Sequence, residues 1–148
     1  MVQVDADDER LDRLLQLYQH EWSGLLPRPI GEDARYEYPD LALFRDRENH
    51  AAFLFLGSDR PAPLGFALAI HESTLWHVDE FFIIAGARRQ DIGTTDAGLL
   101  VESRSGPWTL TVRPENPRAL AFWRVAFSGA EERVEVGDDG VTRTRLSI

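Results

Sequence analysis

The N-terminal part of the chain carries apolar residues at the spacing of an amphipathic helix. Between Ala6 and about Trp22 they recur every three or four residues, at Leu11, Leu14, Leu15, Tyr18 and Trp22. This spacing places them on one face of a helix. Asp5, Asp7 and Asp8 stand at its start, where carboxylates bond to the free amides of the first turn. The pattern therefore predicts an N-terminal helix whose apolar face packs against a core.

Three apolar runs in the middle of the chain predict consecutive strands. They cover Ala51–Leu56, Leu64–Glu72 and Leu75–Ile84. The first is apolar at every position, as expected for a strand covered on both faces of its sheet. Residues 57–63 are rich in glycine, proline and polar side chains, and this composition predicts a turn between the first two strands.

Helical and strand patterns then alternate toward the C-terminus. Helical spacing predicts helices over Thr94–Arg104 and Asn116–Phe127, with a strand at Trp108–Val112 between them. A closing hairpin is predicted from Arg133–Val136 and Val141–Ile148, which flank a glycine-rich turn. Val2 and Val4 indicate a short first strand, and residues 41–44 a short helix. This order predicts an α/β (α+β) fold with helices on both faces of a sheet.

Length and charge narrow the class of protein. The chain has 148 residues, which predicts a single domain over 1–148. Its formal net charge is −9, which argues against nucleic-acid binding, because phosphate neutralisation by basic residues supplies most of that affinity. The start of the chain lacks the pattern of a signal peptide and the apolar runs are too short to span a bilayer. We therefore expect a cytoplasmic protein without a membrane partner.

The residue types present exclude several chemistries. The chain has no cysteine, so thiolate metal sites, disulfides and a cysteine nucleophile are excluded. All 16 basic residues are arginine, so there is no catalytic lysine. The four histidines show no metal-ligand spacing, and no serine lies in a nucleophile-elbow or phosphate-loop pattern. We therefore expect no metal site.

Three motifs, in register along the chain, resemble the GNAT-fold acyl-CoA N-acyltransferases. Residues 78–93, Val-Asp-Glu-Phe-Phe-Ile-Ile-Ala-Gly-Ala-Arg-Arg-Gln-Asp-Ile-Gly, resemble the family's central strand and phosphate loop. Residues 107–123 resemble its later strand and its Asn-x-x-Ala-x-x-Phe-aromatic helix, and the segments 14–22 and 36–39 are similar to a subgroup of small bacterial acetyltransferases. The resemblance implies a mixed, mostly antiparallel sheet of about six to seven strands, flanked by helices on both faces.

The resemblance also implies acetyl-CoA as co-substrate and assigns residues to it. The loop before a helix would hold the pyrophosphate on backbone amides. Backbone groups of Phe82 and Ile83 would bond to the pantetheine amides. Asn116 would lie beside the thioether end of the cofactor, with Phe122 and Trp123 along its arm. The implied cofactor residues are Phe82, Ile83, Arg88, Arg89, Gln90, Asp91, Ile92, Gly93, Thr94, Asn116, Ala119, Phe122 and Trp123.

Two positions depart from the family pattern. Asp91 stands where the family has the first glycine of the loop, and its carboxylate would repel phosphate if it pointed inward. Asp91 could instead cap the following helix, using the amides that the cofactor would need. The alternative to an enzyme is therefore a GNAT-fold binding module without activity. Trp123 replaces a tyrosine that serves many family members as general acid.

Glu80 is the residue predicted to accept a proton from the acceptor amine. It lies on the predicted central strand beside Phe81 and Phe82, and burial among such residues raises the pKa of a carboxyl toward 7. The alternative is a structural carboxylate paired with an arginine. A catalytic role is less favoured for His77 than for Glu80, because a lone histidine on a strand usually has a structural role.

The segment before residue 51 forms the acceptor side in similar proteins, so the resemblance implies that residues from it face the acceptor. Glu21, Tyr36 and Tyr38 would form an aromatic and acidic pocket suited to a cationic amine. Tyr18, at helical spacing, is predicted to be a core residue instead. The expected partner is a small-molecule amine or a peptide, and the chain would act as a monomer or a homodimer.

Overall fold

In the computed structural model, which describes residues 1–58 and 61–148, seven strands form one sheet in the order β1-β2-β3-β4-β5-β7-β6. The pair β4 and β5 runs parallel, and the other pairs in these residues run antiparallel. The strands are β1 Val2–Val4, β2 His50–Leu56, β3 Pro63–Glu72, β4 Leu75–Ile83, β5 Trp108–Val112, β6 Glu131–Val136 and β7 Thr142–Ser147. Residues 59 and 60 of the predicted 57–63 turn lie outside the described residues.

In the described part of the chain three α-helices accompany the sheet: α1 Glu9–Ser23, α2 Ile92–Glu102 and α3 Pro117–Ala126. Asp8 is the N-cap of α1, and its carboxylate accepts a hydrogen bond from the amide of Arg10. Asn116 caps α3 through the amide of Ala119, with a proline at the first helical position. A 3₁₀ helix, Pro39–Arg45, replaces the short helix predicted over 41–44.

Two hydrophobic cores lie on opposite faces of the sheet. On one face α1 and the 3₁₀ helix pack against alternate residues of β2 and β3, including Leu54, Phe66 and Leu68. On the other face α2 and α3 pack against the intervening residues, including Phe53 and Phe55. This alternation follows from the period of two along a strand. It explains why β2 is apolar throughout, and it confirms the predicted fold class.

The sequence pattern located the elements to within a few residues. The strand predicted over Trp108–Val112 has these bounds in the structure, and the helix predicted over 94–104 begins two residues earlier, at Ile92. No helix among the described residues is long and apolar enough to cross a membrane.

Candidate active site

A β-bulge in β4 determines which way the central acidic residues point. Val78 pairs with Ala69 and Glu80 pairs with Leu68, so Asp79 is the extra residue in β4. Before the bulge, the side chain of Val78 lies in the α2–α3 core. After it, Phe82 lies in the α1 core, and Glu80 shares that face by the alternation of the strand. The bulge thereby brings the carboxyls of Asp79 and Glu80 to the same tyrosine.

Glu80 is held by two tyrosine hydroxyls. Tyr18 donates a hydrogen bond to Oε2, and Tyr38 donates one to Oε1 at 3.1 Å. Tyr18 extends from α1 and is buried, with its ring edge-on to Phe66 and Phe82. The predicted alternative, a carboxylate paired with arginine, is wrong for the described residues, because the bonding partners of Glu80 are tyrosines.

Burial dominates the electrostatics of this group. It raises the pKa of Glu80 to about 8, because removal from water disfavours the charged form more than the tyrosine hydrogen bonds favour it. Burial next to this carboxylate raises the pKa of Tyr18 and of Tyr38 as well. Glu80 is therefore a carboxyl that exchanges a proton near neutral pH, while both tyrosines stay protonated.

This pKa predicts how stability changes with pH. The folded chain keeps a proton on Glu80 that the unfolded chain, with a pKa near 4.5, has lost. Between about pH 5 and pH 8 the free energy of unfolding should therefore fall as pH rises, at no more than about 1.4 kcal/mol per pH unit from this group. Urea unfolding of the wild type and Glu80→Gln across this range tests the point. Glu80→Gln should show a shallower fall, and equal falls in the two proteins would contradict it.

The strands β4 and β5 part beyond the bulge. They pair only over Trp76–Val78 and Trp108–Leu110, while β4 continues beside β3 to Ile83. The amide of Ile84 donates to Leu64 in the direction of β3. Because backbone groups alternate sides along a strand, those of Phe81 and Ile83 turn toward the gap between β4 and β5. The backbone of Phe82, which was predicted to bond to pantetheine, faces β3 by the same alternation.

Arg88 spans the end of this gap. Its Nε donates to the carbonyl of Ile83 at 2.7 Å, and its Nη2 bonds to both carboxylate oxygens of Glu21 at 2.7–2.8 Å. The guanidinium also lies 5.6 Å from the ring centre of Phe82. The sequence assigned Arg88 to the cofactor and Glu21 to the acceptor, and the structure joins these two residues in one ion pair.

The loop before α2 contains two non-glycine residues with a left-handed backbone. Arg89 and Asp91 have φ values of 62° and 59°, in the left-handed region that favours glycine. Asp91 is the N-cap residue, but its side chain makes no capping hydrogen bond. The prediction that its carboxylate takes the amides of α2 is therefore wrong, and the first-turn amides have no helical partner. Gln90 bonds to the carbonyl of Gly86 at 3.1 Å.

The first turn of α2 packs closely on α3. A Cβ placed on Gly93 would lie 3.2 Å from the ring of Phe122, so the two helices approach closely at this glycine. Phe122 stacks on Phe81 with the ring centres 5.7 Å apart. Trp123 is buried in the core beside the same ring. Of the other predicted positions, Ile92, Ala119 and Asn116 are partly buried and Thr94 is exposed.

The predicted acceptor residues lie along α1. The backbone of Tyr36 is held by Gln16 through two hydrogen bonds of 2.8 and 3.0 Å, and its hydroxyl contacts Ser23 at 3.2 Å. Tyr36 and Tyr38 line a cavity of about 280 Å³ between α1 and the following segment. Tyr38 thus lies between this cavity and Glu80, whereas Glu21 is at the other end of α1, with Arg88.

Comparisons with known proteins identify the fold. No family model matches the chain, and no curated protein matches it. Solved structures do match over 99% of the chain. They include an acetyltransferase from Thermus thermophilus, with 21% identity, a TM-score of 0.70 and 94% of that chain covered. The chain has the GNAT fold. A protein named as a GNAT-family acetyltransferase from Chromobacterium violaceum has 18% identity and a TM-score of 0.72, with 80% of it covered.

A GNAT structure with a stated acceptor is among the matches. It is a mutant of the spermidine N-acetyltransferase from Vibrio cholerae, with 13% identity, a TM-score of 0.70, and coverage of 99% of this chain and 92% of that one. The GNAT resemblance found in the sequence is therefore confirmed for the fold. These matches span both the helical N-terminal part and the C-terminal hairpin of this chain.

Sequence reasoning missed two contributors to the candidate site. It placed Tyr18 in the core, and this is confirmed. It did not predict the hydrogen bond from the Tyr18 hydroxyl to Glu80. It gave no role to Asp79, because only the bulge brings that carboxyl to the same side as Glu80. His77 bonds to Thr109 at 2.9 Å, in keeping with the structural role preferred for it. Among the described residues, no group of three His, Asp or Glu side chains could hold a metal ion.

Proposed function

We propose that this chain is an acetyl-CoA-dependent N-acetyltransferase that moves an acetyl group directly to an amine of its acceptor. The observation that carries the proposal is the location of Glu80. Its carboxyl, with a pKa raised to about 8 by burial, lies just past the bulge where β4 parts from β5. A proton acceptor is thus positioned at the start of a gap toward which backbone groups of β4 turn.

The residues around the gap fit coenzyme A. Backbone groups of Phe81 and Ile83 turn toward the gap, where pantetheine amides could reach them once Arg88 releases the carbonyl of Ile83. The amides of Ile92, Gly93 and Thr94 at the start of α2 can bind an anion. Arg89 adds an exposed positive charge beside them. When bound, the cofactor supplies an acetyl group activated as a thioester.

Glu80 would act on the acceptor. The amine nitrogen attacks the acetyl carbon, the N–C bond forms, and the C–S bond breaks. The nitrogen gives one proton to Glu80, and the departing thiolate takes one proton from solvent. A general base is most effective in such a transfer when its pKa is close to the pH at which the enzyme works. The ionised Glu80 and the nearby carboxyl of Asp79 also favour a cationic acceptor, such as a polyamine of the kind used by the spermidine N-acetyltransferase.

Two experiments test the proposal in sequence. Isothermal titration of the full chain with acetyl-CoA should give saturable binding, and release of free thiol should follow when an amine is added. The amine panel should include spermidine, a simple monoamine and a peptide with a free N-terminus. Absence of binding at millimolar acetyl-CoA would favour the inactive binding module, an alternative that the named acetyltransferase matches do not support.

Asp91→Gly should bind coenzyme A more tightly than the wild type. Asp91 is exposed at the start of α2, where the phosphates would lie, and two unit charges about 4 Å apart repel by about 1 kcal/mol in water. Removing the carboxylate should lower Kd about fivefold, as measured by isothermal titration. Asp91→Asn is the matched control, because asparagine also tolerates the left-handed backbone but has no charge. Unchanged affinity in both variants would show that the carboxylate points away from the phosphates.

A further inference from the structure

Tyr38 lies between two carboxyls of different exposure. Its hydroxyl oxygen is 3.1 Å from Oε1 of Glu80 and 3.5 Å from Oδ2 of Asp79. Glu80 is partly buried, and Asp79 is exposed to solvent. The bulge makes this arrangement, because neighbouring residues of a regular strand point to opposite faces.

The hydrogen bonds of Glu80 depend on its protonation state. The ionised carboxylate only accepts, so Tyr18 and Tyr38 each donate to one of its oxygens. Once Oε1 carries a proton, that O–H needs an acceptor, and the oxygen of Tyr38 is within reach. Tyr38 has a single hydroxyl proton, so it must then turn that proton away from Glu80. Oδ2 of Asp79 lies in position to accept it.

We propose that Tyr38 relays the proton taken up by Glu80 to Asp79, from which it passes to solvent. The proton on Oε1 of Glu80 moves to the oxygen of Tyr38, while the hydroxyl proton of Tyr38 moves to Oδ2 of Asp79. One proton is transferred in total, and Tyr38 ends as it began, as a neutral phenol. The relay rests on the proposed function, because it restores Glu80 as a base after each acetyl transfer.

Tyr18 provides an internal comparison for this role. It also donates to Glu80, but its ring is enclosed by Trp22, Phe66 and Phe82 in the α1 core. Tyr18 is only 9% exposed, so a proton passed to it has no direct route to solvent. Both tyrosines thus stabilise the ionised carboxylate of Glu80. Of the two, only Tyr38 also contacts a second carboxyl, that of Asp79.

The groups around Glu80 shift its pKa in different directions, so removing each of them should move the pH profile of kcat in a direction that depends on the group removed. The hydrogen bonds from Tyr18 and Tyr38 lower the pKa of Glu80, as does the charge of Arg28 from the loop after α1, while the charge of Asp79 raises it. Burial raises the pKa of Asp79, as do the charges of Asp40 and Glu72, while the hydrogen bond from Tyr38 and the charge of His50 lower it. Tyr38→Phe should therefore move the pH profile of kcat to higher pH, and Asp79→Asn should move it to lower pH.

The experiment compares pH profiles of kcat for the wild type, Tyr38→Phe, Tyr18→Phe and Asp79→Asn, with acetyl-CoA and an amine from the panel above. We expect Tyr38→Phe and Asp79→Asn to lower the plateau of kcat about tenfold, although their profiles shift in opposite directions. Tyr18→Phe should also shift the profile to higher pH, but its plateau should fall less than that of Tyr38→Phe, because it leaves the route through Tyr38 intact. The double variant of Tyr38 and Asp79 should be no slower than Tyr38→Phe, because both changes interrupt one route.

Contrary outcomes separate the relay from the proposed function. A plateau in Tyr38→Phe equal to that of Tyr18→Phe would overturn the relay alone, provided the wild type is active. Absence of turnover in the wild type with every amine would overturn the proposed function and the relay with it. If Tyr38→Phe does not fold, the exposed Asp79→Asn carries the same test, and an unchanged plateau there overturns the relay.

Discussion

Glu80→Gln is expected to lower kcat by about 10²–10⁴-fold, the range typical for loss of a general base. Glutamine keeps the size of the side chain, and it can still accept a hydrogen bond from Tyr18 or Tyr38. It cannot take a proton from the acceptor amine. Steady-state kinetics with acetyl-CoA and an amine, together with the affinity for acetyl-CoA from isothermal titration, measure the effect. The affinity should be unchanged, because Glu80 lies on the α1 side of the sheet.

The pH profile and a second carboxylate serve as controls. The kcat/KM of the wild type should rise with pH toward a plateau above about pH 8, because Glu80 ionises in that range. The residual activity of Glu80→Gln should not show this rise. Glu72→Gln removes an exposed carboxylate at the far end of β3 and should leave kcat unchanged. A Glu80→Gln enzyme with nearly wild-type kcat would exclude Glu80 as the base.

Gly65→Ala is expected to destabilise the fold by about 2–3 kcal/mol, as an overpacked core position does. Gly65 pairs with Ile83 at the end of β4. A Cβ there would overlap the carbonyl oxygen of Phe82 and come within 2.9 Å of Cδ1 of Ile83. The β3–β4 pair would have to separate just where β4 borders the gap. Urea unfolding should therefore show a lower midpoint.

Gly98→Ala is the matched control for that substitution. Gly98 lies in the interior of α2, and a Cβ on it would meet nothing within 4 Å. Alanine is the better helix former, so this variant should gain up to about 1 kcal/mol. A Gly65→Ala protein as stable as Gly98→Ala would mean that β3 and β4 can separate at little cost.

The contact between Arg88 and Glu21 connects the two sides of the candidate site. Arg88 also occupies the carbonyl of Ile83, which is one of the backbone groups that the proposed function offers to pantetheine. A pantetheine amide reaching that carbonyl would compete with the guanidinium. Residues assigned from the motif to different ligands are therefore linked by an ion pair that spans 67 positions of sequence.

The local sequence pattern was enough to predict strand β4, which carries Glu80, but not the geometry of the candidate site. The apolar run over 75–84 predicted β4 to within one residue, and Phe81 and Phe82 beside Glu80 indicated a raised pKa. The run contains no signal for the bulge, because the extra residue appears only when β4 is set against β3. A regular strand would have placed Asp79 and Glu80 on opposite faces.

In the loop before α2, too, the sequence predicted the element but not the orientation of a key side chain. The resemblance to GNAT proteins implied a phosphate loop here, the apolar spacing predicted a helix after it, and α2 begins at Ile92. The sequence could not decide the orientation of Asp91, since an aspartate at this position is able to cap the helix or to leave its amides free. Packing of the loop put Asp91 in the left-handed region, and its side chain makes no capping hydrogen bond to those amides.

The sequence by itself determined the order of strands and helices, the face on which each strand residue lies outside the bulge, and the likeness to GNAT proteins. These depend on spacings of a few residues, which the chain carries locally. Only the tertiary structure decided how Glu80 is surrounded, because its hydroxyl partner Tyr18 is 62 positions away. The raised pKa of Glu80 and the approach of Tyr38 to two carboxyls arise from burial and from strand register, and no local pattern encodes either.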